Sequence, residues 1–360
     1  MPQPIDLQFN YPLLNEQTHE LWEILRSELD KAQSLLTLAP TAGSSIDRTI
    51  AAKWLSQPNY IIDPDDVYIG SGGHHSCFVA LLAAGLQNKT IVVEELTYSN
   101  FKSIAGLLNI RLIACAIDDL GIIPAALDEV CRIHKPDALF ITPTVNNPMG
   151  YVMPVDRRKE IVAIARANNL IIIEDDAYGF LEDAELPNFF HLAPECSFYV
   201  YSFSKPLAQS IKTSYLLAPK AYSDKVIETL RSTSSNNSLL LLSALNEYIE
   251  SGKLKDLILN KRKEGFHRQQ KARELLKEYQ VSGHKNSYHL WLQLPAHVKS
   301  DELNNRLIAA GVKIVPSVAY SVTSEAYNHA IRIALGGESD FNRVIEGIEK
   351  IKQQIGEAPI

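Results

Sequence analysis

The chain has 360 residues, 46% of them apolar and 21% charged, enough to bury a core and too ordered a composition for wholesale disorder. Its 35 basic and 42 acidic residues give a net charge of -7, without the basic stripe that a nucleic-acid surface needs. Cys77, Cys115, Cys131 and Cys196 are scattered with no CxxC pair, against a disulfide framework or zinc site and for a reducing compartment. The opening MPQPIDLQFNYP lacks the basic and apolar regions of a signal peptide, and no apolar run nears the ~18 residues needed to span a bilayer. A cytoplasmic protein is the expectation.

In chain order, a helix is predicted over Glu16–Leu36. From about Asp63 to Leu217, short β-branched runs follow one another at Val67–Ile69, Thr90–Val93, Arg111–Ala114, Ala138–Ile141, Leu170–Glu174, Tyr199–Ser202 and Ser214–Leu217. Amphipathic helical stretches lie between several of them, at Ser76–Leu86, Asn100–Leu108, Pro124–Arg132 and Val155–Ala167. This alternation predicts an α/β fold with a mostly parallel central sheet, helices on both faces, and ligand sites at the carboxyl ends of strands. Helical patterns then dominate to Tyr279, with Lys253–Tyr279 as one long charged helix. A strand at Ser287–Leu294, a helix at Asp301–Ala310, a strand at Ile331–Leu335 and a helix at Phe341–Gln354 predict a smaller α+β domain.

Four segments carry chemistry. In Tyr199–Tyr215 a strand ends in Ser-Phe-Ser and then Lys205; most lysines are solvated surface charges, but two hydroxyls just before this one suit a phosphate-bearing ligand. In Asn169–Phe180 a buried strand runs into Glu174, Asp175 and Asp176, where one Asp would satisfy a helix cap and the others are free to bind a metal, a ribose or a protonated ring nitrogen. Tyr178 follows three residues after Asp175 and can turn its hydroxyl to the same ligand. Ile141–Gly150 is first a turn signal, and it places an Asn amide at a strand end. Ile69–Ser76, IGSGGHHS, is a glycine-rich loop opening a helix, suited to a phosphate, and it matches neither common nucleotide-binding pattern. His74 and His75, being adjacent, cannot share a helix face, so no metal site is expected.

Taken in order, GSGGHHS, EELTYSNF, DDLGIIPAALDEV, TPTVNNPMG, IIIEDDAYGF, YSFSK and IRIALGG resemble the fold-type I pyridoxal-phosphate (PLP) aminotransferases of class I/II. The resemblance runs from about Ile5 to Ile351 and is nearest to the branch of 2-aminoadipate and kynurenine aminotransferases and of the aminotransferase-like domain of MocR-type regulators. The separations fit as well, 28 residues from Asn147 to Asp175 and 30 from Asp175 to Lys205.

The resemblance implies pyridoxal 5'-phosphate as cofactor and gives each residue a role. Lys205 is the Schiff-base lysine and the base that moves the substrate's Cα proton. Asp175 faces the pyridine nitrogen, and Asn147 and Tyr178 bind the phenolic oxygen. Tyr98 stacks on the ring; Gly73, His74, Ser202 and Lys212 bind the phosphate; Arg332, with Asn147 nearby, takes the substrate carboxylate. Several positions depart from the family pattern. Lys212 stands where an arginine is usual, Leu38 where a tyrosine is, Asn10-Tyr11-Pro12 where Gly-x-Pro is, and His74-His75 where Gln-Gln is. These cluster around the phosphate and the substrate entry.

The implied activity is amino transfer between an L-amino acid and a 2-oxo acid. A lyase, racemase or synthase on the same fold, and a PLP-binding sensor with little catalysis, are the alternatives. About 40 residues precede the catalytic-domain pattern, short for a winged-helix domain, and DNA binding is not expected. The resemblance further implies a homodimer. The expected division is residues 1–44 as arm and helix joined to a small domain, 45–245 as the large cofactor domain, and 246–360 as the rest of the small domain. Tyr11, Tyr320, Tyr327 and Ser324 are expected to line the substrate side-chain pocket.

Overall fold

The structure, a computed structural model, describes residues 3–12, 14, 17–30, 35, 37–323 and 327–358. Its centre is a seven-stranded sheet of β1 (Val67–Gly70), β2 (Thr90–Glu94), β3 (Arg111–Cys115), β4 (Ala138–Ile141), β5 (Ile171–Asp176), β6 (Ser197–Ser202) and β7 (Ser214–Leu217), in the order β1-β7-β6-β5-β4-β2-β3. Only β7 runs against its neighbours; the other pairings are parallel. The strands read as continuous apolar runs because both faces are covered. Alternate residues serve different cores. Ile91, Val93 and Phe140 pack on one side, and Val92, Leu139 and Ile141 on the other.

Helices α1 (Gln17–Leu29), α2 (Ser45–Leu55), α3 (Gly73–Ala83), α4 (Val155–Ala167), α5 (Leu239–Glu250) and α6 (Lys253–Leu275) surround or flank this sheet. The helix expected over Glu16–Leu36 occupies Gln17–Leu29, while Glu16 and residues 31–34 and 36 lie outside the described residues. Ser44 starts α2 with a reciprocal capping box to Asp47, which satisfies two donors at the helix start. Helix α2 was not expected from periodicity. Its apolar positions Ile50, Ala51, Ala52 and Leu55 pack toward the large sheet.

The second sheet is antiparallel, β8 (Val281–Ser282), β9 (His289–Gln293), β10 (Val315–Pro316) and β11 (Ala330–Ala334), in the order β8-β9-β11-β10. Helices α7 (Ser300–Ala309) and α8 (Phe341–Gly356) cover it. Ile5–Asp6 pairs in parallel with Val312–Lys313, and Ile5 and Leu7 join the core of this smaller sheet. Further along, Ile24 of α1 shares a core with Ile69 and Leu217 of the large sheet. The segment between them, Gln8 to Pro12, therefore bridges two cores, and its Tyr11 lines a cavity at the carboxyl ends of β4, β5 and β6.

Candidate functional site

Three parallel strands deliver the central groups. Asp175 comes from the end of β5, Ser202 ends β6, and Lys205 follows in the turn after it. Asn147 comes from the loop after β4. That loop contains Val145 at φ +51°, a costly conformation for a β-branched residue, and Gly150 at φ +75°, where a side chain would strike the backbone of Gly283 and His284. Between these bends Asn147 lines the cavity while Asn146 is buried behind it. One cavity is lined by Asp175, Tyr178, Asn147, Tyr98, Lys205 and Tyr11, and at its other end by Gly73, His74, Ser202, Ser204 and Lys212. The expected catalytic and cofactor-binding residues, drawn from scattered segments, thus meet in one place.

Burial sets the electrostatics. It pulls the Lys205 amine down to about 7; Arg332, Lys212 and Lys261 add to the pull, and Asp175 opposes it. Burial likewise pushes Asp175 up to about 7, helped by Asp176 and opposed by Lys205. The Asp175 carboxylate lines the cavity and makes no side-chain hydrogen bond among the described residues, so it is open to a ligand. Burial raises Tyr178 well above the usual phenol range, which keeps its hydroxyl a donor at neutral pH.

Arg332, in the middle of β11, donates from Nη1 to Asn147 Oδ1 at 2.8 Å and from Nη2 to the Gln8 carbonyl. Its buried Nε has no partner among the described residues. Tyr320 packs under its guanidinium, 5.5 Å from ring centroid to Cζ. Arg332 does not line the cavity itself; it stands behind Asn147, capped by the arm. Tyr320 and Tyr327 do not line it either. Tyr320 stacks edge-on with Trp291, and Tyr327 donates to Glu95 at 2.6 Å. Ser324 lies outside the described residues. Leu38 is exposed and apart from the cavity.

At the other end, Gly72 takes φ +99° to start α3, and its N–H donates to Ser214 Oγ. A Cβ on Gly73 would lie 3.0 Å from that of Ser202, so glycine keeps the helix start against the strand end. The first N–H groups of α3, the Ser202 and Ser204 hydroxyls and the Lys212 amine converge there, a donor set that fits a phosphate dianion. His74 Nε2 is 2.7 Å from the Tyr98 hydroxyl, tying the helix start to the aromatic side of the cavity. His75 accepts from the Ser71 N–H and faces Thr233. No cluster able to hold a metal occurs among the described residues.

Sequence reasoning missed the layer behind these groups. Buried Glu94, at the end of β2, accepts from the Tyr151 and Thr142 hydroxyls, and Asn146 Nδ2 donates to Thr142 Oγ1 at 2.7 Å. His289 Nε2 lies 2.9 Å from the Asn146 carbonyl. Lys261 of α6 is fully buried and donates to the carbonyls of Lys205 and Leu207 at 3.0 and 3.1 Å. Glu94 ends an apolar strand run much as Asp175 does, a signal that could have found it. Nothing in the local pattern distinguishes Lys261 from the other charges of its helix.

A lysine and a carboxylate facing one cavity at the carboxyl ends of parallel strands, with a phosphate-shaped donor set opposite, define the fold-type I pyridoxal-phosphate class. The chain belongs to the aminotransferase class I and II family, whose model matches residues 2–348. The 2-aminoadipate transaminase of Thermus thermophilus is 22% identical over 334 residues, which cover 89% of this chain and 82% of the relative. An uncharacterized HTH-type transcriptional regulator of Bacillus subtilis, YdeF, is 23% identical over 308 residues, 85% of this chain and 67% of the regulator. Among solved structures, the fold is shared with an archaeal alanine:glyoxylate aminotransferase (TM-score 0.89, 22% identity, 99% of this chain and 91% of that one). It is shared also with the kynurenine aminotransferase of Pyrococcus horikoshii (TM-score 0.88, 24% identity, 99% and 92%). Pyridoxal 5'-phosphate is the cofactor this family brings to such a site, and the free carboxylate of Asp175 and the donor set at α3 fit it.

Proposed function

We propose that the chain is a transaminase that works through Lys205, moving an amino group from an L-amino acid to a 2-oxo acid. The observation that carries this reading is the buried pairing of Lys205 with Asp175 in one cavity, each brought to about 7. An amine titrating there is neutral often enough to attack and to take a proton, and protonated often enough to return it. The N–H groups of Gly73 and His74, with Ser202 and Lys212, would hold the phosphate, Asp175 the pyridine nitrogen, and Asn147 and Tyr178 the phenolic oxygen. Tyr98 would cover the ring. When bound, the cofactor supplies the electron sink for charge developing at the substrate's Cα.

The protein's own groups do the rest. A carboxyl that binds its proton at about 7 is well suited to share one with a pyridine nitrogen. Asn147 accepts from Arg332 through Oδ1, which leaves its NH2 group to donate into the cavity. The substrate carboxylate would replace the Gln8 carbonyl at Arg332, so the arm must yield as the amino acid enters. Lys261 fixes the turn that carries Lys205 by holding two of its carbonyls.

The rest of the reading goes with this one: a homodimer in the cytoplasm, no nucleic-acid partner, and a cofactor domain of residues 45–245 with both ends of the chain forming a smaller one. 2-Aminoadipate and kynurenine are the first donors to try, because relatives and structural neighbours bear those names. The test is a half-reaction screen. The visible absorbance of the loaded protein should bleach on adding the right amino acid, with pyridoxamine phosphate accumulating, and return on adding a 2-oxo acid. A Lys205→Ala variant that kept full transamination would sink the reading. The regulator relatives favour one other reading, a sensor. It predicts cofactor capture and amino-acid binding with no turnover in the same screen.

A further inference from the structure

Lys205 lies under a ring to which the scheme above gives no task. Its Nζ is 3.6 Å from the ring centroid of Tyr11, against 5.7 Å from that of Tyr178. The Tyr11 ring is fixed from several sides. Gln209 Nε2 donates to its hydroxyl at 2.9 Å, and Phe9 stacks on it with centroids 5.8 Å apart. Just before it, Asn10 is buried with Nδ2 2.8 Å from His289 Nδ1. His289 Nε2 meets the Asn146 carbonyl and so carries the hydrogen, which leaves Nδ1 to accept from Asn10. Three residues before Tyr11, the Gln8 carbonyl is held by Arg332. The arm is therefore anchored at two residues just before the position that covers the lysine, and at the Tyr11 hydroxyl itself.

We propose that Tyr11 is a positioning residue for Lys205, its ring face receiving the cationic form of the amine and holding it over the reacting centre between proton transfers. This rests on the reading of Lys205 as the Schiff-base lysine. The charges around the amine leave it short of other support. Arg332, Lys212 and Lys261 repel the ammonium, and burial disfavours it further. His289 is held neutral by burial, partial desolvation and the Lys205 and Lys212 charges push His74 down, and burial keeps the Tyr11 and Tyr178 hydroxyls protonated. Asp175 attracts the ammonium, but its own charge fades as the pH falls through about 7. The negative face of an aromatic ring does not titrate, and a desolvated cation gains most from it.

A ring that only covered the lysine would have a different effect. An apolar replacement of similar reach would still exclude water and leave the amine's titration where it was, and an opened site would let it rise. Competitive labelling of Lys205 in the full-length chain with acetic anhydride across pH, read by mass spectrometry, gives its midpoint directly. Tyr11→Leu is expected to lower that midpoint by about one pH unit. Tyr11→Met should match it, and Tyr11→Phe, which keeps the ring, should leave the midpoint in place. An unchanged or higher midpoint in Tyr11→Leu and Tyr11→Met, or an equal fall in Tyr11→Phe, overturns the proposal. Adding pyridoxal phosphate should protect Lys205 from label in every variant. Failure of that protection counts against the cofactor reading, while the midpoints still decide the role of the ring.

Discussion

At the lysine end of the cavity, Asp175, Asn147, Tyr178 and Arg332 are buried and braced from behind by Asn146, His289 and Glu94. At the helix end, His74 and Lys212 are exposed, and the phosphate-binding groups are backbone N–H, two hydroxyls and one flexible amine. Burial makes the first end sensitive to single atoms, because a displaced charge or donor there has no water to replace its partner. The second end is wetter and distributes its work over several donors, so each contributes less and salt screens it more. The departures from the family pattern fall mainly at the wetter end, where a changed side chain costs least, and on the arm, where Asn10 and Tyr11 have partners of their own.

The largest effect expected is at the buried end. Asp175→Asn should lower kcat by about 10²–10³-fold while the protein still binds its cofactor, because the carboxylate charge is lost where it is least screened. Steady-state kinetics with a cofactor-binding titration check this, and a loss below about tenfold would remove the contrast between the two ends. Next, Arg332→Lys should raise KM for the amino acid by about 10–100-fold and change kcat less, since a point charge cannot both hold Asn147 and receive a carboxylate through a planar fork.

The bracing layer gives a third expectation, read in stability. Burial pushes Glu94 up from about 4.5 to about 7. The folded state thus holds a proton that the unfolded chain gives up, and the stability this contributes is full below about pH 4.5 and lost as the pH rises through about 7. Denaturation at pH 5 and pH 8 should show the wild type losing roughly 2 kcal/mol more than Glu94→Gln, which carries no such proton. A Glu94→Gln variant with the full wild-type slope would place the titration elsewhere. The smallest effect is at the wet end. Lys212→Arg should tighten cofactor binding by a few-fold, about 0.5–1 kcal/mol, by supplying a bidentate fork. The same binding titration at low and high salt measures it.

Much of the site was legible because its positions are set by strand ends. A run such as Leu-Ile-Ile-Ile within an alternating strand-helix pattern reads as a strand buried on both faces, so the polar residues that end it, Asp175 among them, sit at the carboxyl end of the sheet. The same logic placed Ser202 and Lys205. The Asn-Asn-Pro turn was visible as a turn, but the φ of Val145 that aims it was not. Arg332 was placed by resemblance, and its cap by Gln8 appears only in three dimensions, across 324 positions of sequence. His289 reads locally as one more strand residue, and its bond to Asn10 spans 279 positions. Lys261 reads as one more helix charge, and only the packing of α6 beneath the Lys205 turn buries it.

The sequence by itself determined the alternation of strand and helix, the polar residues at strand ends, and through them several of the side chains that reach the cavity, because period and hydrophobicity are local properties. The tertiary structure decided how those side chains behave. Burial brings Lys205 and Asp175 to about 7. The meeting of two cores lays the arm across the cavity mouth and sets Tyr11 on Lys205. Desolvation and long-range contact depend on what surrounds a group, which no stretch of chain specifies alone.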